Sequence, residues 1–264
     1  MLIYYYALML ELNMEKISSR RNPLSLHLKK LGVSRSYREA SGEFLCDGIK
    51  LLAEAVASNA EIVAFLTAIP LPFTLPGATS VYYAEETLID SLSPLKNAQS
   101  ILFSSKIPNT ESIDTSGQII ILDGVQDPGN VGTVIRTANA LSIGSVILTG
   151  ECADPYNPKS VRASMGAVFR QKFCHMSLTE LKTHHESGMR IIGASPGEGS
   201  LDICKADLTH SAVAIGSEGG GLSGGVLSLC DEMIAIQIAP ECESLNAAVA
   251  AAIIMWEMSR RGLR

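Results

Sequence analysis

Two apolar runs in the second half of the chain constrain the fold most strongly. QIIILD (118–123) and SVILTG (145–150) are apolar through their centres, and one helical segment lies between them. A strand with one face in water alternates polar and apolar residues, so uninterrupted runs predict strands covered on both faces. The sequence therefore predicts an α/β domain with a mostly parallel sheet.

Further segments extend this domain to the end of the chain. RIIGA (190–194), AVAIG (212–216) and MIAIQI (233–238) are predicted strands, with helices near 158–166 and 177–185. The last helix, 244–261, is apolar on most of its sides. Such a helix must be buried inside the sheet layers or against a second subunit.

A smaller α/β unit is predicted before it, over residues 14–106. Helical patterns at 23–32 and 47–59 are followed by short β-rich runs at 61–66, 80–84 and 100–104. The polar, turn-rich segment 107–117 is a predicted linker, which leaves 118–264 as the C-terminal domain. Residues 1–13 are expected to be a loose extension or an upstream start-site artefact.

The charge distribution is uneven. The whole chain has 21 basic and 27 acidic residues, a net charge of −6 that argues against nucleic-acid binding. Residues 16–50, however, contain eight basic and three acidic residues, and 155–179 contain four basic residues and no acid. The acidic average therefore conceals two basic segments that could form one RNA-binding face.

The sequence favours neither a metal site nor a membrane-spanning helix. The six cysteines form no CxxC pair, and no HExxH or zinc-like cluster is present, so we expect reduced thiols in the cytoplasm and no metal. No apolar run reaches transmembrane length without a charge or a turn signal.

A first candidate site follows the strand at 118–123. In Asp127-Pro128-Gly129-Asn130, proline and glycine occupy the positions typical of a type II turn, and Asn130 is then a predicted N-cap. Arg136 lies six residues further along the predicted helix. Ligands usually bind at the carboxyl ends of strands in α/β sheets, although a capped helix with a solvated arginine would give the same pattern.

A second candidate is the glycine-rich segment GSEGGGLSGG (216–225). Gly219, Gly221 and Gly224 satisfy G-x-G-x-x-G, which indicates dinucleotide binding when it occurs in the first β-α turn of a fold. Here it comes about 40 residues before the C-terminus, with room for only a short helix after it. Glu218 is either a functional carboxylate or an ordinary loop residue.

A third candidate is the strand-loop-helix segment 234–252. Ser244 is a predicted N-cap of the last helix, and Asn246 is placed in its first turn. Both could be merely structural. Three strand-to-loop junctions with polar residues nevertheless predict one convergent pocket.

Together, NVGTVIRTANA, IGSEGGGLS and IQIAPECESLNAAVA resemble the three ordered motifs of the SpoU/TrmH branch of SPOUT-class RNA ribose 2′-O-methyltransferases. KSVRASMGAVF matches this family too, and the resemblance covers about residues 118–262. More loosely, ISSRRNPLSLHLKKLG and YREASGEFLCDGIKLLAEA resemble the N-terminal RNA substrate-binding module of many members. Glu241 and Glu243 depart from the small residues of many relatives.

The resemblance implies a trefoil-knotted C-terminal domain that binds S-adenosylmethionine and acts as a homodimer. The cofactor positions that match the family are Gly216, Ile236 and Leu245. The catalytic-centre positions that match are Asn130, Arg136, Glu218, Ser244 and Asn246. Arg136 would organise the nucleotide phosphate and the 2′-hydroxyl, since arginine is a poor general base. The residues expected to contact RNA are Arg20, Arg21, Lys29, Lys30, Lys159 and Arg162.

The activity expected from the resemblance is ribose 2′-O-methylation of ribosomal RNA, with transfer RNA as the second candidate substrate. One alternative is a non-catalytic RNA-binding or ribosome-associated protein with the same fold. Another is a nucleotide-dependent oxidoreductase that uses the glycine motif.

Overall fold

The computed structural model describes residues 15–71, 80–96, 98–108, 113, 117–197 and 199–262, with side chains to residue 260. The predicted extension 1–13 and most of the predicted linker 107–117 lie outside these residues. In chain order the elements are β1 (Glu15–Lys16), α1 (Pro23–Val33), α2 (Arg35–Ser41), β2 (Glu43–Asp47), α3 (Ile49–Ala57), β3 (Ile62–Thr67), β4 (Ser80–Tyr83), α4 (Glu86–Leu92), β5 (Ile101–Lys106), β6 (Ile119–Asp123), α5 (Pro128–Ala140), β7 (Ser145–Thr149), α6 (Pro158–Ser164), a 3-10 helix (Ala167–Phe169), β8 (Phe173–His175), α7 (Leu178–Glu186), β9 (Arg190–Ala194), β10 (Leu201–Asp202), β11 (Ser211–Gly216), α8 (Gly224–Leu227), β12 (Glu232–Ala235) and α9 (Ala247–Gly262).

The chain forms two compact units. The first comprises Met1–Pro108 and Tyr156–Phe169, and the second comprises Asn109–Pro155 and Arg170–Arg264. The first unit has a five-stranded mixed sheet in the order β1-β4-β3-β5-β2, with a core that includes Leu28, Leu31 and Leu66.

The segment Tyr156–Phe169 belongs to the first unit, although the sequence placed it inside the C-terminal domain. The ring of Phe44 on β2 contacts the rings of Tyr156 and Phe169, at 4.9 and 5.7 Å between centroids. Arg162 on α6 lies 3.5 Å from the buried carboxylate of Asp47. These contacts with β2 explain the assignment, which sequence proximity cannot reveal.

A buried carboxylate links several elements of the first unit. Glu43 on β2 accepts hydrogen bonds from Ser104 Oγ (2.9 Å) and Lys106 Nζ (2.9 Å), and its carboxylate lies 3.0 Å from His27 Nε2. Burial alone would raise the pKa of Glu43, but the hydrogen bonds from Lys106, Ser104 and His27 outweigh it and lower the pKa. Glu43 is therefore ionised and holds α1, β2 and β5 together.

We expect Glu43→Gln to destabilise the first unit by roughly 1–3 kcal/mol, because a glutamine places an amide donor among groups that already donate. Since the folded pKa lies below the ordinary value, the stabilisation by Glu43 is present above that ordinary pKa and is lost as the pH falls through the folded pKa. Protection factors of the β2 and β5 amides, measured from about pH 6 to well below the ordinary carboxyl pKa, follow this loss. Glu39→Gln is the matched control because the carboxylate of Glu39 is exposed and forms an i,i+4 pair with Arg35. Equal exchange in the two variants would contradict the expectation.

The second unit has a seven-stranded sheet in the order β10-β12-β9-β11-β6-β7-β8, and every pair in it is parallel. This confirms the predicted α/β class and parallel sheet. All residues of β6 and β7 are buried, as their apolar runs predicted. The short strands β8 and β10 were not predicted, because three and two residues are too few to show a periodicity.

The last helix, α9, has one face buried and one exposed. Ala251, Ile254, Met255 and Met258 are fully buried, and the helix packs on α5 and β11. Val249, Ile253 and Trp256 are 49%, 38% and 60% exposed. The sheet layers therefore bury one face of this helix and leave large apolar side chains on the other face exposed. Within the described part of the chain, no helix has the length and hydropathy needed to cross a membrane.

Candidate active site

The carboxyl ends of the adjacent strands β12, β9 and β11 border one cavity of about 280 Å³ in the second unit. Its wall is completed by the segment before α9 and by the first turns of that helix. The lining residues are 194–196, 215–218, Gly221, 234–236, Ile238, 243–245, Ala247, Ala250 and Ile254. Ligands usually bind at the carboxyl ends of strands in α/β sheets, and this strand-end rule predicted a ligand site at this edge of the sheet.

A tight loop after β11 forms one wall of the cavity. Ser217 N donates to Gly221 O (3.1 Å), and Gly221 N donates to Ser217 O (2.9 Å). The loop folds back so closely that a Cβ on Gly216 would lie 2.0 Å from the carbonyl carbon of Gly221. Only glycine fits at position 216 without displacing this loop.

The start of α5 differs from its predicted form. Asp127 is the N-cap, since its Oδ1 accepts from Asn130 N at 2.9 Å, and the helix begins at Pro128. The prediction of Asn130 as N-cap was wrong. The predicted type II turn is wrong too, because Gly129 is helical and does not have the positive φ that this turn requires. Proline at the first helical position has favoured the helix over the turn.

The start of α9 also differs. The N-cap is Asn246 and not the predicted Ser244, because Asn246 Oδ1 accepts from Ala248 N (2.9 Å) and Val249 N (3.3 Å). Ser244 precedes the helix and lines the cavity instead. Serine and asparagine are comparable caps, so the sequence could not decide between positions two residues apart.

Three predicted catalytic positions form one hydrogen-bonded chain. Asn246 Nδ2 donates to Asn130 Oδ1 at 3.1 Å, and Asn130 Nδ2 donates to Glu218 Oε1. The hydrogen bonds that Asn246 Oδ1 accepts from the backbone at the start of α9 fix the orientation of the Asn246 amide. That amide in turn fixes the orientation of the Asn130 side chain. The chain ends on a carboxylate whose Oε2 has no hydrogen-bond partner among the described residues.

Arg136 does not contact the hydrogen-bonded series Asn246–Asn130–Glu218. It is exposed on α5, and among the described residues its side chain has no hydrogen bond to Asn130 or Glu218. It also lies outside the cavity lining. A second cavity, of about 480 Å³, lies between α5 and the exposed face of α9, and we call it the α5/α9 groove. Its lining residues are Asn130, Thr133, Asn246, Ala248, Val249, Ala252, Ile253 and Trp256.

All three predicted cofactor positions, Gly216, Ile236 and Leu245, line the cavity. Sequence reasoning missed Ser195 and Pro196, which also line it. They directly follow the predicted strand RIIGA, so the strand-end rule applied to β9 could have found them.

The cavity has an acidic character. Among its described lining residues the charged ones are Glu218 and Glu243, and both are carboxylates. The remaining surface is mostly aliphatic. This combination suits a ligand with a positive charge on an apolar body. Within the described residues, no group of three or more His, Cys, Asp or Glu side chains is placed to hold a metal ion.

The six predicted RNA-contacting residues all lie in the first unit. Arg20, Arg21, Lys29 and Lys30 are exposed at the start and along the outside of α1, and Lys159 is exposed on α6. Arg162 differs, because its guanidinium pairs with buried Asp47 and therefore also holds α6 in place.

The G-x-G-x-x-G motif of Gly219, Gly221 and Gly224 does not form a dinucleotide-binding fingerprint. The strand before it, β11, is central in the sheet and late in the chain, and the helix after it has only four residues. A dinucleotide fingerprint opens a long helix after the first strand of its fold.

Comparison with known proteins supports a methyltransferase site. The model of the SpoU rRNA Methylase family matches residues 117–256. The chain is 29% identical over 251 residues to the Bacillus subtilis 23S rRNA (guanosine(2553)-2′-O)-methyltransferase RlmP, covering 93% of this chain and 99% of that protein. It is 34% identical over 149 residues to a Streptomyces viridochromogenes 23S rRNA (uridine(2479)-2′-O)-methyltransferase, covering 54% and 52% of the two chains.

A solved methyltransferase structure is similar to this chain over nearly its whole length. The SpoU methyltransferase AviRb from Streptomyces viridochromogenes, in complex with the cofactor AdoMet, superimposes with a TM-score of 0.81 at 26% identity. The match covers 92% of this chain and 99% of that one.

Proposed function

Because the chain belongs to the SpoU rRNA methylase family, we propose that it is an S-adenosylmethionine-dependent enzyme that methylates a ribose 2′-hydroxyl, with ribosomal RNA as the favoured substrate and transfer RNA as the second candidate. The observation that carries this proposal is the chain Asn246–Asn130–Glu218 beside the cavity at the strand ends. It places ordered polar groups next to a pocket for a small ligand.

The cavity residues fit S-adenosylmethionine. Aliphatic side chains such as Ile215, Ile236 and Leu245 suit the adenine ring, and Glu218 and Glu243 suit the positive sulfonium and amino groups. When bound, this cofactor supplies a methyl group on a positively charged sulfur. The protein must then mainly hold the ribose oxygen in line with that methyl group.

The polar chain can perform this positioning. Each asparagine amide is held at both ends, so the carboxylate of Glu218 is fixed before substrate arrives. Its Oε2 can accept a hydrogen bond from the ribose hydroxyl or from a guanidinium. Such preorganisation lowers the barrier because few groups need to reorient during the reaction.

We assign Arg136 to the active site of a second copy of the chain. It is exposed on the same side of α5 as Thr133, which lines the α5/α9 groove. None of the groove's described lining residues is charged, and they include Val249, Ile253 and Trp256 at i, i+4 and i+7. Packing against its own copy around a two-fold axis would bury these apolar side chains and bring Arg136 of the partner subunit towards Asn130.

RNA binding is assigned to the first unit, through Arg20, Arg21, Lys29, Lys30 and Lys159. These side chains offer positive charge to phosphates, and their effect should weaken with salt. The free cysteines of the described residues and an RNA substrate both favour the cytoplasm. The trefoil knot of the second unit stays a prediction from the family resemblance.

The direct test is methyl transfer from labelled S-adenosylmethionine to ribosomal RNA, followed by nuclease digestion and identification of the nucleoside. We expect a 2′-O-methylated nucleoside. Label on a base would contradict the proposal, as would absence of both transfer and cofactor binding. The last result would favour a non-catalytic RNA-binding protein.

Replacing Gly216 by alanine should weaken S-adenosylmethionine binding at least about tenfold, since the new Cβ displaces the loop that forms the cavity wall. Isothermal titration calorimetry measures the affinity of the variant for S-adenosylmethionine. Gly219→Ala is the matched control, because a Cβ there meets nothing within 4 Å. If both variants bind equally well, the loop does not form the cofactor site.

A further inference from the structure

A buried carboxylate lies beneath the glycine-rich loop and is not used in the chemistry described above. Asp123 is the last residue of β6 and is only 5% exposed. In the sheet it is paired with Gly216 of β11 on one side and Thr149 of β7 on the other. It does not line the cavity, so it is not placed to touch the cofactor.

The carboxylate holds the far end of the loop. Asp123 Oδ2 accepts a hydrogen bond from Ser223 N at 2.6 Å, and Ser223 Oγ accepts from Val226 N at 3.3 Å to cap α8. The near end is fixed by β11, and the Ser217–Gly221 bridge closes the middle. Glu218 therefore lies in a segment that is held on both sides.

We propose that Asp123 is a positioning residue for the cofactor site, acting through Ser223 on the loop that carries Glu218. This inference rests on the proposed function, because it assigns the loop to S-adenosylmethionine. A charged acceptor forms a stronger hydrogen bond than a neutral one, and its loss leaves a partly buried amide without a partner. The loop then loses its fixed end, and the position of Glu218 opposite Asn130 becomes less defined.

The test compares Asp123→Ala, Asp123→Asn and Ile119→Ala. Ile119 is fully buried at the other end of the same strand, so its truncation lowers stability without touching the loop. S-adenosylmethionine affinity is measured by calorimetry at a temperature at which all three variants are folded. Hydrogen exchange of residues 217–227 is measured alongside. We expect Asp123→Ala to weaken binding about tenfold or more and to speed exchange in the loop. Asp123→Asn should retain most of the native affinity and most of the native protection of the loop. Ile119→Ala should change neither the affinity nor the exchange of the loop.

Two results would overturn the proposal: unchanged affinity and exchange in Asp123→Ala, or an equal loss of affinity in Ile119→Ala. If the native protein itself does not bind S-adenosylmethionine, the proposed function fails instead. Loop exchange then still decides whether Asp123 holds the loop.

Discussion

Replacing Arg136 by alanine is expected to lower the rate of methyl transfer by about 10²–10³-fold, the loss typical of removing one preorganised donor. Cofactor affinity should stay within about twofold, because Arg136 lies outside the cavity lining. Single-turnover transfer and calorimetry measure the two quantities. Lys182→Ala, an exposed basic side chain in the same unit, is the control. Full activity of Arg136→Ala would show that the assignment is wrong.

Mixing Arg136→Ala chains with Gly216→Ala chains, at a cofactor concentration too low to load the Gly216→Ala cavity, tests whether Arg136 acts across the dimer. In a heterodimer of Arg136→Ala and Gly216→Ala chains, one cavity is intact and faces the intact Arg136 of the partner subunit. Random assembly should then restore roughly a quarter of the native sites. If Arg136 acts within its own chain, every site has a defect and no activity returns.

Trp256→Glu is expected to convert the protein into monomers and to lower methyl transfer by about a hundredfold or more. Trp256 is 60% exposed in the single chain, and the residues described as lining the α5/α9 groove around it are all uncharged. In a two-fold contact the substitution buries a charge without a partner, once in each copy. Sedimentation velocity measures the oligomeric state, and labelled transfer measures the activity.

Leu201→Glu is the matched control, because Leu201 is 43% exposed on β10 and lies outside the groove. It should leave a fully active dimer. A native protein that sediments as a monomer would contradict the assignment, as would a Trp256→Glu variant that stays dimeric.

The sequence predicted the second unit well where apolar pattern alone decides the structure. The buried runs of β6 and β7 and the terminal helix were found because burial on two faces leaves a long apolar signal. The short strand β8 was missed, and α2 and α4 were not assigned either. Seven-residue helices show too little periodicity to stand out from their surroundings.

The site was less predictable than the sheet. The strand-end rule placed Asn130, Glu218 and Asn246 near one another, and the structure brings them into hydrogen-bond contact. The identity of the caps was not predictable, because Asp127 and Asn130, or Ser244 and Asn246, are equally good cap residues by type. The packing of Tyr156–Phe169 on β2 is a long-range contact without a local sequence signal.

The most direct test maps 2′-O-methylation across ribosomal RNA from cells that have the protein, lack it, or carry only the Arg136→Ala variant. We expect one ribose site to lose its methyl group in cells without the protein. Native protein should restore the site, and the Arg136→Ala variant should not. An unchanged methylation map, or full restoration by Arg136→Ala, would contradict this expectation.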